Sequence, residues 1–247
     1  MNSVLITGCN RGLGLGLIQS FLKLPAPPRH LIATCRNIQQ AEELNSLAQQ
    51  HPNLHVLQID LKDIEKYDQF VAQVESIVQD NGLNVLLNNA GISPKSTRLG
   101  FVKSDDLVDT FVTNTVAPIM LTKALVPLLK KAAEVNPAVP IGPQKACIVN
   151  MSSILGSVGA NTDGGLYAYR TSKSALNAAT KSMSIDLKPN RIMAVALHPG
   201  WVRTDMGGSK APLSVEQSCI KMVQTILQLN ENHSGKFIQY DGKELVW

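Results

Sequence analysis

The chain has 247 residues, a formal charge of +4 and the apolar content of an ordinary globular protein, enough for one large α/β domain with a sizeable core. Lys and Arg are dispersed, so nothing resembles a nucleic-acid stripe, and mild positivity suits an anionic cofactor without requiring one. Cys9, Cys35, Cys147 and Cys219 form no C-x-x-C pair and no Cys/His cluster with metal spacing. No leader and no bilayer-long apolar run is expected, which points to reduced thiols in a cytoplasmic protein with no metal and no membrane contact.

Strand-like and helix-like stretches alternate along the chain. Residues 3–6 are an apolar run, and 12–23 follow with helical periodicity until Pro25, Pro27 and Pro28 break it. The pattern predicts strands over 30–34, 54–59, 84–87, 146–150, 191–197 and 236–239. It predicts helices over 39–50, 63–80, 104–133, 167–187 and 214–229, with Pro118 and Pro127 bending or dividing the third. Residues 134–144 carry three prolines and a glycine and are expected to loop. Such βα alternation predicts a single-domain, doubly wound parallel sheet of about seven strands with helices on both faces, and ligands then bind beyond the carboxyl ends of the strands.

Two motifs fall at such strand ends. Thr7-Gly8-Cys9-Asn10-Arg11-Gly12-Leu13-Gly14 joins the first strand to the first helix. Its glycines permit positive φ and close backbone approach to a pyrophosphate, and the helix start adds a positive dipole end. The spacing is Gly-x3-Gly-x-Gly rather than the commoner Gly-x-Gly-x-x-Gly. Later, Tyr169 and Lys173 stand four apart on one predicted helix, so phenol and ammonium share a face. A neighbouring cation favours the phenolate, which would make Tyr169 a proton donor or acceptor nearer neutral pH.

With these, Asn88-Asn89-Ala90-Gly91, Asn114, Ser153 and Pro199-Gly200 complete an ordered set spanning nearly the whole chain. The chain resembles the short-chain dehydrogenase/reductase family. Within it, Ile6-Thr-Gly-Cys-Asn-Arg-Gly-Leu-Gly, Asn150-Met-Ser-Ser-Ile-Leu-Gly, Tyr167-Ala-Tyr-Arg-Thr-Ser-Lys and His198-Pro-Gly-Trp are most similar to the sniffer-type carbonyl reductases. The resemblance implies one NAD(P)-binding Rossmann domain over 1–247 and reduction of ketones, aldehydes or quinones by hydride transfer. It implies Tyr169 as general acid, Ser153 as donor to the carbonyl oxygen, and Lys173 on the nicotinamide ribose. Asn114 either orders a water leading from Lys173 to solvent or is a buried Asn satisfying backbone groups. Gly200, Val202 and Thr204, following Pro199, would contact the nicotinamide carboxamide.

The second strand ends Thr34-Cys35-Arg36 with no acid. A carboxylate there would favour NAD, whereas Arg36, with Arg11 approaching from the turn, would favour the 2′-phosphate of NADPH. Asp60, with Leu61 beside it, either receives the adenine amino group or caps the next helix. Asn89, Ala90 and Gly91 line the ribose and diphosphate, hold a tight turn, or both. Ser152 is the neighbour of Ser153 and is expected to bond backbone, and Tyr167 is expected in a wall or in the core. Pro94, Ile154, Leu155, Tyr167, Trp201 and Met206, with Thr162 at the rim, are candidates for a largely apolar carbonyl pocket. The stretch 206–214 is too short for a long helical lid. Two further readings stand beside this one: a non-catalytic NADP(H)-binding regulator of the same fold, and a nucleotide-sugar epimerase or dehydratase of a longer branch. The helices predicted over 104–133 and 167–187 could pair two copies into a homodimer.

Overall fold

The computed structural model describes residues 1–94, 98–135 and 137–247. Seven short apolar runs form strands: β1 (Ser3–Ile6), β2 (His30–Cys35), β3 (Leu54–Gln58), β4 (Val85–Asn88), β5 (Cys147–Met151), β6 (Met193–His198) and β7 (Phe237–Gln239). They make one sheet in the order β3-β2-β1-β4-β5-β6-β7, with parallel pairing between neighbours. Parallel strands need crossovers, and helices supply them. Alternate residues face opposite sides. Val4, Ile6, Val85, Leu87, Val149 and Val195 pack against α1 (Gly12–Leu22), α2 (Glu42–Gln50) and α7 (Val215–Gln228). Leu5, Leu86, Ile148 and Ala194 pack on the other side, against α3 (Tyr67–Val78), α5 (Ala117–Val135) and α6 (Tyr167–Asp186). Both faces are therefore buried, which is why the strands read as continuous apolar runs. The chain leaves β1 toward β2 on one side and enters β4 on the other, so the switch point lies beyond the carboxyl ends of β1 and β4.

Boundaries differ from the sequence pattern where backbone chemistry intervenes. Helix α2 begins at Glu42 rather than residue 39, because the Ala41 N–H closes a turn on the Ile38 carbonyl. The start expected near residue 191 for β6 moves to Met193, since Arg191 takes a left-handed φ of 58° after a short 3-10 turn. The stretch predicted as helix over 104–133 divides into α4 (Ser104–Phe111), a π segment (Val112–Val116) and α5. Pro118 has no N–H for the Asn114 carbonyl and its ring crowds that carbonyl, so the helix widens there. Pro127 lies within α5 without ending it. The expected loop 134–144 starts two residues late, after Val135, and residue 136 lies outside the described residues. By length and composition Ser104–Val135 could cross a membrane, contrary to the sequence expectation, but half of its apolar window is buried inside the molecule, as in a core helix.

Candidate active site

The turn after β1 is shaped by glycine. Gly8 and Gly12 have φ of 71° and 59°, and a Cβ on Gly14 would stand 2.1 Å from the Gly8 carbonyl oxygen. Helix α1 therefore starts against its own approach turn. No side chain caps it, since Arg11 sits at the cap position without a capping bond, so N–H donors remain for an anion. Across the switch point, the Thr7 hydroxyl accepts from the N–H groups of Asn89 and Ala90, both at 3.0 Å. Asn89 Nδ2 donates to the carbonyls of Thr7 (2.8 Å) and Gly8 (3.3 Å). Asn89 thus holds the turns after β1 and β4 together.

Arg36 stands exposed just past β2, with no ion pair among the described residues. The Arg11 guanidinium pairs with Asp205 at 2.5 Å, both side chains being exposed. Asp60 is exposed, and its carboxylate accepts from the Lys62 N–H at 3.0 Å. It caps no helix, because the next helical turn begins at Ile64 after Asp63. The Leu61 carbonyl accepts from the Tyr67 hydroxyl at 2.6 Å, placing Leu61 at the edge of the core.

Ser153 follows β5 and caps a 3-10 turn, Ile154–Gly156. Its oxygen accepts from the Leu155 N–H at 3.2 Å, which leaves its own proton free to donate. The expectation that Ser152 bonds backbone is corrected: its hydroxyl bonds Asn177 Oδ1 at 2.5 Å. The Asn177 amide in turn reaches the Gly156 carbonyl at 3.3 Å. A Cβ on Gly156 would lie 2.8 Å from both the carbonyl carbon and the Cβ of Lys173, so this glycine lets the Ser153 turn touch α6.

On α6, Lys173 is buried. Its Nζ donates to the Met151 carbonyl at 2.7 Å and lies 5.7 Å from the centre of the Tyr169 ring. A Cβ on Gly91 would stand 3.5 Å from that Nζ and 3.2 Å from Asn114 Oδ1. Asn114, fully buried in the π segment, accepts from the Ile92 N–H and donates to the Ile92 carbonyl, each at 2.8 Å, and also donates to Ser172 Oγ. The side chain thus ties the segment after β4 to α6.

Burial dominates the electrostatics. It pushes the Tyr169 phenol up to about 12, while the hydroxyl of Ser153 beside it pulls the other way. It pushes the Lys173 ammonium down to about 8. The lowering of the phenol expected from Lys173, with the cationic oxidised nicotinamide acting in the same direction, is outweighed by burial in the protein by itself: both groups are desolvated, which shifts each toward its neutral form. His198, at the end of β6, is lowered to about 4 by burial.

After β6, Pro199 accepts from Ser218 Oγ at 2.6 Å. Gly200 has a φ of 83°, and a Cβ there would meet Leu213 at 2.5 Å and the Tyr240 ring at 2.8 Å. Val202 is buried and bridges to Leu213. Thr204 Oγ1 accepts from the Gly207 N–H, so that side chain is engaged within its own loop. No helix forms between Gly200 and Ser214. Trp201, Met206 and Tyr167 are 56%, 51% and 36% exposed, so Tyr167 is not core. Ile154, Leu155 and Pro94 are half-buried and Thr162 is exposed. A shallow depression of about 510 Å³ lies elsewhere, lined by Pro140, Ile141, Arg191, Asn230, Glu231 and Asn232, and it gathers none of the site residues.

Three positions escaped the sequence reading. Thr7 orients the segment after β4, and Asp205 engages Arg11. Asn177 holds Ser152, and its signal was legible, for 169, 173 and 177 recur at the four-residue spacing of one helix face. Among the described residues no three His, Cys, Asp or Glu side chains gather as metal ligands.

The short chain dehydrogenase family model matches residues 2–213. The chain belongs to the short chain dehydrogenase family. Among solved structures, this short chain dehydrogenase is similar to the carbonyl reductase Sniffer of D. melanogaster, with a TM-score of 0.99 and 62% identity over 100% of both chains. It is also similar to an NADPH-bound carbonyl reductase from chicken fatty liver, with a TM-score of 0.96 and 40% identity over 100% of this chain and 94% of that one. Among curated proteins, the C-signal of Myxococcus xanthus is 44% identical over 165 residues, 67% of this chain and 93% of that protein. The family makes this protein an oxidoreductase.

Proposed function

We propose that the protein is an NADPH-dependent carbonyl reductase acting on ketones, aldehydes or quinones, with Tyr169 as the proton donor. The observation that carries this reading is the convergence of Ser153, Tyr169 and Lys173 beside the switch point. Similarity to carbonyl reductases, one of them with NADPH bound, supports it.

The residues present fit the nucleotide. The turn at Gly8, Gly12 and Gly14 leaves backbone donors for a diphosphate. Arg36, without an ion pair among the described residues and with no carboxylate at the end of β2, offers a fork of donors to a 2′-phosphate. Asp60 keeps carboxylate capacity for the adenine amino group. When bound, NADPH supplies the hydride.

The side chains do the rest. Ser153, whose oxygen is already an acceptor, turns its proton toward the substrate oxygen and stabilises the charge that grows there. Tyr169 gives that oxygen its proton; a phenol raised by burial is fully protonated at neutral pH and so competent to donate. Lys173, fixed by the Met151 carbonyl, would hold the nicotinamide ribose and supply a positive field beside the phenolate left behind. Trp201, Met206 and Tyr167 give the carbonyl compound an apolar, open approach.

The reading is tested by following NADPH absorbance with the purified protein against aliphatic aldehydes, aromatic ketones and quinones. Consumption dependent on a carbonyl compound is expected. Tight NADPH binding without consumption by any of them would favour the non-catalytic regulator instead.

A further inference from the structure

We propose that the hairpin of residues 237–247 is a positioning element of the substrate site, and that Trp247 within it holds in place a wall that bulky carbonyl compounds pack against. The inference rests on the reading above, in which Ser153 and Tyr169 bracket a carbonyl group.

After β7 the chain turns at Asp241-Gly242 and returns alongside it. The Gln239 N–H donates to the Lys243 carbonyl and the Leu245 N–H to the Phe237 carbonyl, both at 2.7 Å, with an antiparallel bridge between Ile238 and Glu244. Lys236 and Glu244 pair at 2.8 Å. The Trp247 ring stacks on Phe237, a fully buried residue, at 5.6 Å and 20°. These bonds fix the returning segment onto the sheet.

Its two ends meet different walls of the site. At the tip, Tyr240 packs against Gly200, where a Cβ would stand 2.8 Å from its ring. The Tyr240 N–H donates to the His198 carbonyl at 2.8 Å. This supports the loop carrying Trp201 and Met206. At the far end, the Trp247 carbonyl accepts from the Gly159 N–H at 3.0 Å. A Cβ on Gly159 would lie 3.1 Å from Val246 Cγ1. That contact falls on the segment 157–166, which joins the Ser153 turn to the start of α6.

This segment needs outside support. Most of its residues are exposed, Val158 at 75%, and it ends with Gly164, Gly165 and Leu166 all at positive φ. Leu166 is strained there, since a Cβ disfavours the left-handed region. Many of its other bonds are local, such as Ala160 N–H to Ser157 Oγ and Gly164 N–H to Asn161 Oδ1, each at 3.0 Å. Trp247 ties it to the sheet instead. With Tyr240 behind one wall and Trp247 behind the other, the hairpin sets the gap between them. A bulky apolar substrate touches both walls, whereas a short aldehyde needs only Ser153 and Tyr169.

The test compares the parent chain with Trp247→Ala and Trp247→Phe, using NADPH with 1,4-naphthoquinone and with propanal. Trp247→Ala is expected to raise KM for the quinone about fivefold with kcat within about twofold, and to leave kcat/KM for propanal unchanged. Trp247→Phe, which keeps a ring on Phe237, is expected to restore the quinone KM. Equal losses for both substrates, or no change for either, would overturn the proposal. Amide exchange across 157–166 gives a readout independent of turnover: it should quicken in Trp247→Ala and not in β5, and unchanged protection would also overturn it. Should the parent consume no NADPH with either compound, the reductase reading fails while the exchange data still decide whether the hairpin holds the wall.

Discussion

Lys173 is an ammonium placed where water does not reach, and its cost appears in its proton affinity. An unfolded lysine holds its proton to about 10.5, the folded one only to about 8. Between those values the unfolded chain binds more protons, so this residue's contribution makes stability rise with pH across that window. Subtracting the urea-unfolding stability of Lys173→Met from that of the parent should give a difference that rises from pH 8 to 10.5 and is flat below it. A difference flat throughout would contradict the burial assigned to Nζ. The variant should also lose turnover, since its side chain has no charge to hold beside the phenol. Arg36 poses the complementary case, an exposed cation with no ion pair among the described residues. Removing it in Arg36→Ala should weaken NADPH binding roughly ten- to hundredfold, the loss of one or two charge-assisted hydrogen bonds, and leave NADH binding unchanged in a fluorescence titration. Equal weakening for both nucleotides would exclude Arg36 as the 2′-phosphate ligand. Arg11, drawn to Asp205 on the surface, adds about 0–1 kcal/mol through that pair.

At the scale of elements, the site depends on how closely β5, its following turn and α6 approach. Gly156 sets that approach, because a methyl group there meets the Lys173 backbone. Gly156→Ala should cost about 1–3 kcal/mol by overpacking and lower kcat more than it weakens NADPH binding, as Ser153 is pushed from Tyr169. Thermal unfolding and steady-state kinetics check this, and an unperturbed kcat would show that the turn can move without consequence. The π segment clamps the other side of α6, through Asn114 to Ser172 Oγ and Thr115 Oγ1 to the Ser172 carbonyl. Pro118 gave the sequence-level hint of a break here. The form of the break, a widened turn aimed at α6 rather than a kink, needed the packing partner. The same limit explains Ser152. Two adjacent serines at a strand end look alike in the sequence, and only Asn177, twenty-five residues away on α6, distinguishes them.

At the scale of the molecule, the sheet was legible because parallel strands covered on both faces must be apolar throughout, and Val4, Leu5 and Ile6 or Ile148 and Val149 show this directly. The Gly8–Gly14 turn and the Tyr169–Lys173 pair were legible because their spacing carries the geometry. Less legible was whatever depends on two distant segments meeting. Asn89 bonding Thr7 and Gly8, Arg11 reaching Asp205, and Trp247 returning to Gly159 all join parts of the chain that no local pattern links. The proton affinities of Tyr169 and Lys173 belong to this class too, since spacing foretold their proximity but not that burial would outweigh it.

All of these scales meet at one oxygen atom, the phenolic one of Tyr169. The decisive comparison is the rate of NADPH consumption by the parent and by Tyr169→Phe with the best carbonyl substrate, alongside NADPH binding to each. A fall in kcat/KM of about 10²–10⁴ with the nucleotide affinity held within about twofold is expected for loss of a general acid. A variant that turns over within about threefold of the parent would show that the proton comes from elsewhere.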